Sequence, residues 1–340
     1  MRLVTQWATR SPLAMFIALA VTVASCTKTP VSPTPEPPVV TPPPVAEAPS
    51  LSCGDGLSRS TVNASGMAIT FDTPSATGGQ GTVTVSCTPE SGQNFPIGST
   101  QVSCTATDSL SRTSTCSFSV TVSRIPTLSS TRYLAFGDSI TAGEVSPATA
   151  LFSSLTRVVK NAVVPSVAWP TVLSQTLRGR YSTQTFTVAN FGVPGERVVT
   201  ARSRFLSALN SERPEVVMIL HGHNDIAGGA DGAASGAAAE LEQMVAEARL
   251  RGMRVYLATV LPPRTGGTSK PIPQLYIDDF NGRLRTIAAR QGIAIVDTYA
   301  ALRTDVNRFI GIDGLHPTEA GYARIADTFF QTIQNNLEVR

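Results

Sequence analysis

The spacing of apolar and polar positions changes character twice along the chain. From Thr131 onward, short apolar runs alternate with stretches of helical period. The runs are Tyr133–Phe136, Phe186–Asn190, Val216–Leu220, Val255–Val260 and Ile293–Val296. Runs apolar on both faces predict strands of a parallel sheet covered on each side. Between them, apolar residues at helical spacing predict helices over Trp169–Leu177, Arg197–Leu209, Ala233–Leu250 and Asp278–Arg290. A last helix is predicted from about Pro317 to Asn335, with Pro317 in its first turn. Repeated strand–helix units imply an α/β fold, a three-layer α/β/α sandwich on a five-stranded parallel sheet. Glu144–Val167 reads as an insertion beside the first strand end, and Pro262–Pro273 as a long loop after the fourth. Both would rim one edge of the sheet.

Before Thr131 the period is different. Residues 51–123 are rich in Thr, Ser, Val and Gly, and "GTVTVSC", "TQVSCTATD" and "CSFSVTV" alternate apolar with polar, as half-buried strands do. A small β-sandwich is expected there, joined through a linker at 124–130 to the flavodoxin-like α/β domain at 131–340. Cys53, Cys87, Cys104 and Cys116 all lie in this block. Their even number predicts two disulfides, in any of three connectivities.

The start of the chain has neither period. "MRLVTQWATRSPLAMFIALAVTVASC" is a positive opening followed by an apolar core, Leu13–Ala24, too short to span a membrane with ease and ending in small residues. Residues 1–25 therefore read as a secretory signal. Val23–Cys26 resembles a bacterial lipobox, and Cys26 is the one cysteine outside the later four. That resemblance implies lipidation at Cys26 and an anchor at the outer membrane or cell surface of a Gram-negative bacterium, because Thr27, not Asp, follows. The Pro-dense residues 27–50 would then form a semi-rigid spacer.

Charge narrows the function classes. Net charge is +3, and removing Arg2 and Arg10 with the signal leaves +1. No basic run is present, so nucleic acid is not an expected partner. The chain has no G-x-x-x-x-G-K-[ST] and no G-x-G-x-x-G opening a helix after a strand, and the four later cysteines lack zinc-ribbon spacing. No cofactor and no metal are expected.

The polar residues that remain notable fall just after the strands. "FGDSITAG" places Ser139 after the first strand, where an open α/β sheet puts its chemistry. "DGLHP" sets Asp313 three residues before His316, a spacing that lets the carboxylate hold one imidazole nitrogen and leaves the other for a serine. Taken alone, that spacing also fits a simple helix entry. "NFGVPGE" offers the backbone N–H of Gly192, and "GHND" offers the amide of Asn224, as donors to a developing oxyanion. Each has a plainer reading, a turn glycine and a helix cap. His221 and His223 are lesser candidates for metal binding or proton transfer.

The joint order of these four motifs resembles the SGNH/GDSL hydrolase superfamily over about Tyr133 to the C-terminus, with Ile140 where Leu names the family. The resemblance implies Ser139 as nucleophile, Asp313 and His316 completing a triad, and Ser139, Gly192 and Asn224 as oxyanion donors. His223, inside the third motif, would be a possible substrate contact. Separately, "SCTPESGQNFPIGSTQVSCTATDSLSRTSTCSFSVTV" resembles a hyalin-repeat (HYR) domain, an immunoglobulin-like adhesion or spacer module able to contact carbohydrate or protein. The expected function is a membrane-anchored serine esterase acting on short acyl esters, as in glycan deacetylation. Alternatives are a lysophospholipase, lipase or thioesterase of the same fold, an acyltransferase, or a non-catalytic adhesin. The ester substrate is thus a glycan acyl ester or a lipid.

Overall fold

The structure is a computed structural model that describes residues 47–147, 161–229, 232–268 and 272–339. The expected signal at 1–25, Cys26 and the expected spacer up to residue 46 lie outside the described residues.

Five parallel strands form the central sheet: β1 (Arg132–Gly137), β2 (Thr187–Gly192), β3 (Val216–Leu220), β4 (Arg254–Ala258) and β5 (Ala294–Val296). Their spatial order is β2-β1-β3-β4-β5. Every residue of β3 is buried, as expected of a strand covered on both faces. Alternation sorts its side chains. Tyr133 and Ala135 of β1, with Val216, Met218 and Leu220 of β3, enter one core. Leu134 and Phe136, with Val217 and Ile219, enter the other.

Helices α2 (Trp169–Arg180) and α9 (Glu319–Leu337) cover the first face, where Trp169 stacks on Phe329 at 4.3 Å between ring centres. Helices α3 (Val198–Glu212), α5 (Ala233–Leu250) and α6 (Gln274–Gln291) cover the second. Short helices α1 (Ser139–Ala142) and α4 (His223–Ile226) follow β1 and β3 directly. Two more, α7 (Thr298–Leu302) and α8 (Val306–Phe309), lie between β5 and α9. The chain leaves β1 for β2 on one side and returns to β3 on the other. This reversal opens a crevice at the carboxyl ends of β1 and β3.

Several boundaries differ from expectation. Pro317 is not in the last helix: it bridges to Ile310, and Thr318 caps α9 instead. Thr318 accepts the Gly321 N–H at 3.1 Å, a bond that Pro317 has no side-chain oxygen to make. Helix α6 starts at Gln274, directly after Pro273, not at Asp278. The supposed linker is partly domain. Thr127–Leu128 pairs with Glu338–Val339, and Gln184 bonds both backbone groups of Leu128, at 2.7 and 2.9 Å. At the front, a strand already begins at Ser50, inside the expected spacer.

The amino-terminal β unit has a four-stranded sheet in the order Leu57–Thr61, Thr113–Arg124, Gly98–Thr107, Thr84–Thr88. Two ribbons accompany it, Ser50–Ser52 with Ser75–Thr77 and Met67–Ala68 with Asn94–Phe95. Its small core holds Ile69, Phe95, Val102, Val120 and Val122. The disulfides are Cys87–Cys104 and Cys53–Cys116; the register sets Cys104 opposite both Cys87 and Cys116, and Cys104 bonds the former.

Candidate active site

Ser139 is the first residue of α1, at the mouth of the crevice. The carboxylate of Asp138 accepts the Ile140 N–H at 3.0 Å and so caps this one-turn helix. The Ser139 hydroxyl lies 2.9 Å from His316 Nε2. On the far side of the ring, His316 Nδ1 lies 2.5 Å from Asp313 Oδ2. Asp313 is itself held: its Oδ1 accepts the N–H groups of Leu315 and His316, both at 2.9 Å. All three residues are buried, His316 being 9% exposed.

The charges are set by these contacts. Burial pushes the Asp313 carboxyl up, but the bonds from His316 and the backbone outweigh it and hold the group at about 2. Burial pushes the His316 imidazole down, yet Asp313, joined by the nearby charges of Glu144 and Asp138, leaves it above its ordinary value. With Nδ1–H donated to Asp313, Nε2 faces Ser139 with its lone pair.

Two residues absent from the motif reading border this relay. Asn161 Nδ2 donates to Asp313 Oδ2 at 2.6 Å, the same oxygen that His316 uses. Glu144 Oε2 lies 3.6 Å from His316 Nε2. Both belong to the insertion after α1, where no pattern in the sequence marks one polar residue above another.

The expected oxyanion donors are placed less uniformly. The N–H of Ser139, at the amino end of α1, has no partner among the described residues. Asn224 uses one amide hydrogen on the Glu196 carbonyl at 2.9 Å and retains the other. Gly192 does not serve as expected. Its N–H is donated to its neighbour Asn190 Oδ1 at 2.9 Å. It is glycine for another reason: a Cβ there would come within 2.0 Å of the Ala142 nitrogen, so it lets β2 end against α1. Three residues on, Val193-Pro194-Gly195-Glu196 forms a turn closed by Glu196 N–H to Val193 O at 3.2 Å. Gly195 takes φ +75°, as the third position of a type II turn requires. Its N–H has no partner among the described residues. The Pro-Gly pair was the available signal for this turn.

His223 is also not where the resemblance put it. The ring is 2% exposed and both nitrogens are engaged. Nε2 accepts the Leu261 N–H at 2.9 Å, which puts the proton on Nδ1, 3.4 Å from Asp138 Oδ2. It supports the cap beneath Ser139 and touches no open space. His221 is buried too, with Nδ1 3.6 Å from Asp138 Oδ2 and Nε2 3.3 Å from Glu196; burial pushes its imidazole down, but these two carboxylates outweigh that and raise it to about 9. Asp225 of the same motif caps α3 by accepting the Val198 N–H at 2.8 Å. Glu196 is paired with Arg204, which binds the Phe191 carbonyl at 2.8 Å and covers the Phe136 ring. The second and third motifs are thus bolted together, which fixes the Gly195–Glu196 turn beside Asn224.

Residues 135–324 match the GDSL-like lipase/acylhydrolase family. The chain belongs to that family. Its activity class is therefore ester hydrolysis. Residues 46–122 match the HYR domain. A curated relative, Esterase TesA of Pseudomonas aeruginosa, is 28% identical over 154 residues, covering 44% of this chain and 70% of the relative. Among solved structures, the lipase/acylhydrolase from Enterococcus faecalis is similar at 23% identity and TM-score 0.48, over 61% of this chain and 97% of that one. Axe2, an acetylxylan esterase from Geobacillus stearothermophilus, is similar at 23% identity and TM-score 0.47, over 61% and 95%.

Proposed function

We propose that this GDSL-family hydrolase is a serine esterase working through Ser139, His316 and Asp313. The observation that carries the reading is the continuous relay from the Ser139 hydroxyl, 2.9 Å from His316 Nε2, to Asp313 Oδ2, 2.5 Å from Nδ1. His316 takes the hydroxyl proton as Ser139 Oγ bonds to the ester carbonyl carbon. The carbonyl oxygen becomes negative and meets the N–H of Ser139, the free amide hydrogen of Asn224 and the N–H of Gly195, which replaces Gly192 in this role. The tetrahedral intermediate collapses, the C–O bond to the alcohol breaks, and His316 returns the proton to the departing oxygen. Water, deprotonated by the same imidazole, then cleaves the acyl-enzyme and frees the acid.

The acyl group in this reading is short. Support comes from Gly228 and Gly229 just after the third motif, which bring no long apolar side chain there. The protein is further read as exported and lipid-anchored through Cys26 at an outer membrane or cell surface. The signal-like residues 1–25 support that, and so do two disulfides, which belong in an oxidising compartment. Glycan acyl esters fit such a location.

Hydrolysis of 4-nitrophenyl esters from acetyl to palmitoyl, by the native protein and by Ser139→Ala, tests the reading. Turnover highest for short chains, and reduced on the order of 10⁴-fold or more in the variant, is expected. Equal turnover by both proteins, or no labelling of the native protein by a fluorophosphonate, would refute it. A profile rising towards palmitoyl would favour the lipase alternative.

A further inference from the structure

Glu144 stands at the reacting side of the imidazole, and the mechanism above gives it no task. Its position is well fixed. Glu144 pairs with Val163 in the short ribbon Glu144–Val145 with Ala162–Val163. Its carbonyl accepts the buried Tyr322 hydroxyl at 2.7 Å, and the carbonyl before it accepts the Val164 N–H at 2.9 Å. The side chain reaches back so that Oε2 lies 3.6 Å from His316 Nε2, the nitrogen that also meets Ser139 Oγ. Among the described residues, His316 is its only ion-pair partner. The side chain keeps 22% of its surface exposed, so its free oxygen positions remain reachable.

That location coincides with the path of the alcohol. When the ester C–O bond breaks, the departing oxygen must lie within hydrogen-bond reach of His316 Nε2 to receive its proton. The atoms next to that oxygen then lie beside the Glu144 carboxylate. A carboxylate accepts hydrogen bonds and donates none, and it repels a second anion strongly where water is partly excluded.

Resting on the assignment of Ser139 and His316 as the reacting pair, we infer that Glu144 selects the alcohol half of the substrate. It accepts a hydrogen bond from a free hydroxyl neighbouring the ester oxygen and rejects a phosphate or carboxylate there. The preferred substrates are acyl esters of neutral polyols, partly acylated sugars or glycerol. Lysophospholipids with an anionic head are disfavoured by the same charge.

Three acetyl esters assayed with the full protein test this: glycerol monoacetate, 1-acetylglycerol 3-phosphate and 4-nitrophenyl acetate. An acetylated methyl xyloside alongside them separates sugar from glycerol as the source of the diol. The native protein should favour glycerol monoacetate over its phosphorylated counterpart by about tenfold or more in kcat/KM, with the margin shrinking as salt is raised. Glu144→Gln should cut the ratio to about threefold or less, and Glu144→Asp should restore part of it. A native ratio near one would overturn the inference. So would an unchanged ratio in Glu144→Gln with all esters falling together, since Glu144 would then only support His316. Failure of the underlying assignment shows separately, as 4-nitrophenyl acetate turnover that survives Ser139→Ala.

Discussion

The residues around His316 do unequal work, and their contacts say how much each change should cost. Asn161 gives its amide to the oxygen of Asp313 that orients the ring. A hydrogen bond to a charged group contributes about 1.5–3 kcal/mol, so Asn161→Ala should lower kcat by about ten- to a hundredfold with little change in KM. Steady-state kinetics on a short 4-nitrophenyl ester would show it, and an unaltered kcat would mean that the backbone N–H groups of Leu315 and His316 hold Asp313 unaided. The pH dependence follows from the same ring. Only neutral His316 accepts a proton, and its folded value lies above the ordinary 6.5. Turnover should therefore be low in acid, rise as pH passes that raised value, and level off above it. Asp313→Asn removes the main influence raising the value, so the acid limb of kcat/KM should move to lower pH. The plateau should fall on the order of 10⁴-fold, because the wrong tautomer is then favoured.

At the scale of elements, the site is held by caps more than by long helices. Helix α1 is a single turn, and Asp138 gives it the hydrogen bond that an isolated turn cannot supply for itself. His223 and His221 sit behind that carboxylate, which explains why a buried charge is tolerated there: burial drives Asp138 up, and the two imidazoles hold it far below the usual carboxylate range. Helix α9 depends on Thr318 in a similar way, its hydroxyl accepting from Gly321 and donating to the Arg308 carbonyl at 2.7 Å. Thr318→Ala should destabilise the protein by about 1 kcal/mol, or up to about 2. Because the residue lies two positions after His316, activity should fall on mild heating before the native protein loses it. Urea unfolding and thermal inactivation measured together would check both parts.

Across the whole molecule, the two cystine bridges and the Ser139–His316–Asp313 relay lie in different parts of the sequence. The small core of the amino-terminal β unit needs the bridges most, since few apolar side chains are buried there. The bridges close loops with sequence separations of 63 and 17, each expected to stabilise that unit by about 3–4 kcal/mol. Reduction with a thiol should make residues 50–124 sensitive to limited proteolysis and leave turnover of a small ester within about twofold, because no group of the relay touches a cystine. Parallel loss of ester turnover would show that the β unit shapes the active site.

Strands and helices of the α/β domain were legible because their apolar residues recur with the period of the element they form. Val216–Leu220 and Ala233–Leu250 match the predicted bounds at both ends. Ser139, Asn224, Asp313 and His316 stood out as candidates because each follows a strand end or a tight turn, where an open sheet presents its polar groups. Neither period nor spacing could assign partners across the fold. Gly192 and Gly195 are both glycines in one loop, and only the close approach of α1 and the Asn190 side chain separates a packing glycine from one with a free N–H. His223 looked available in sequence and is enclosed, because Leu261 and Asp138 arrive from other strands to occupy its nitrogens. Asn161 and Glu144 lie far from His316 along the chain and carry no local pattern. Local propensity fixes which element a residue joins, whereas contacts between residues distant in sequence form only when the sheet has set its order and register. By itself the sequence determined the layers, the strand ends and the candidates for the reacting groups. The tertiary structure alone decided which amides are free, which histidine is buried and which carboxylate faces the departing alcohol.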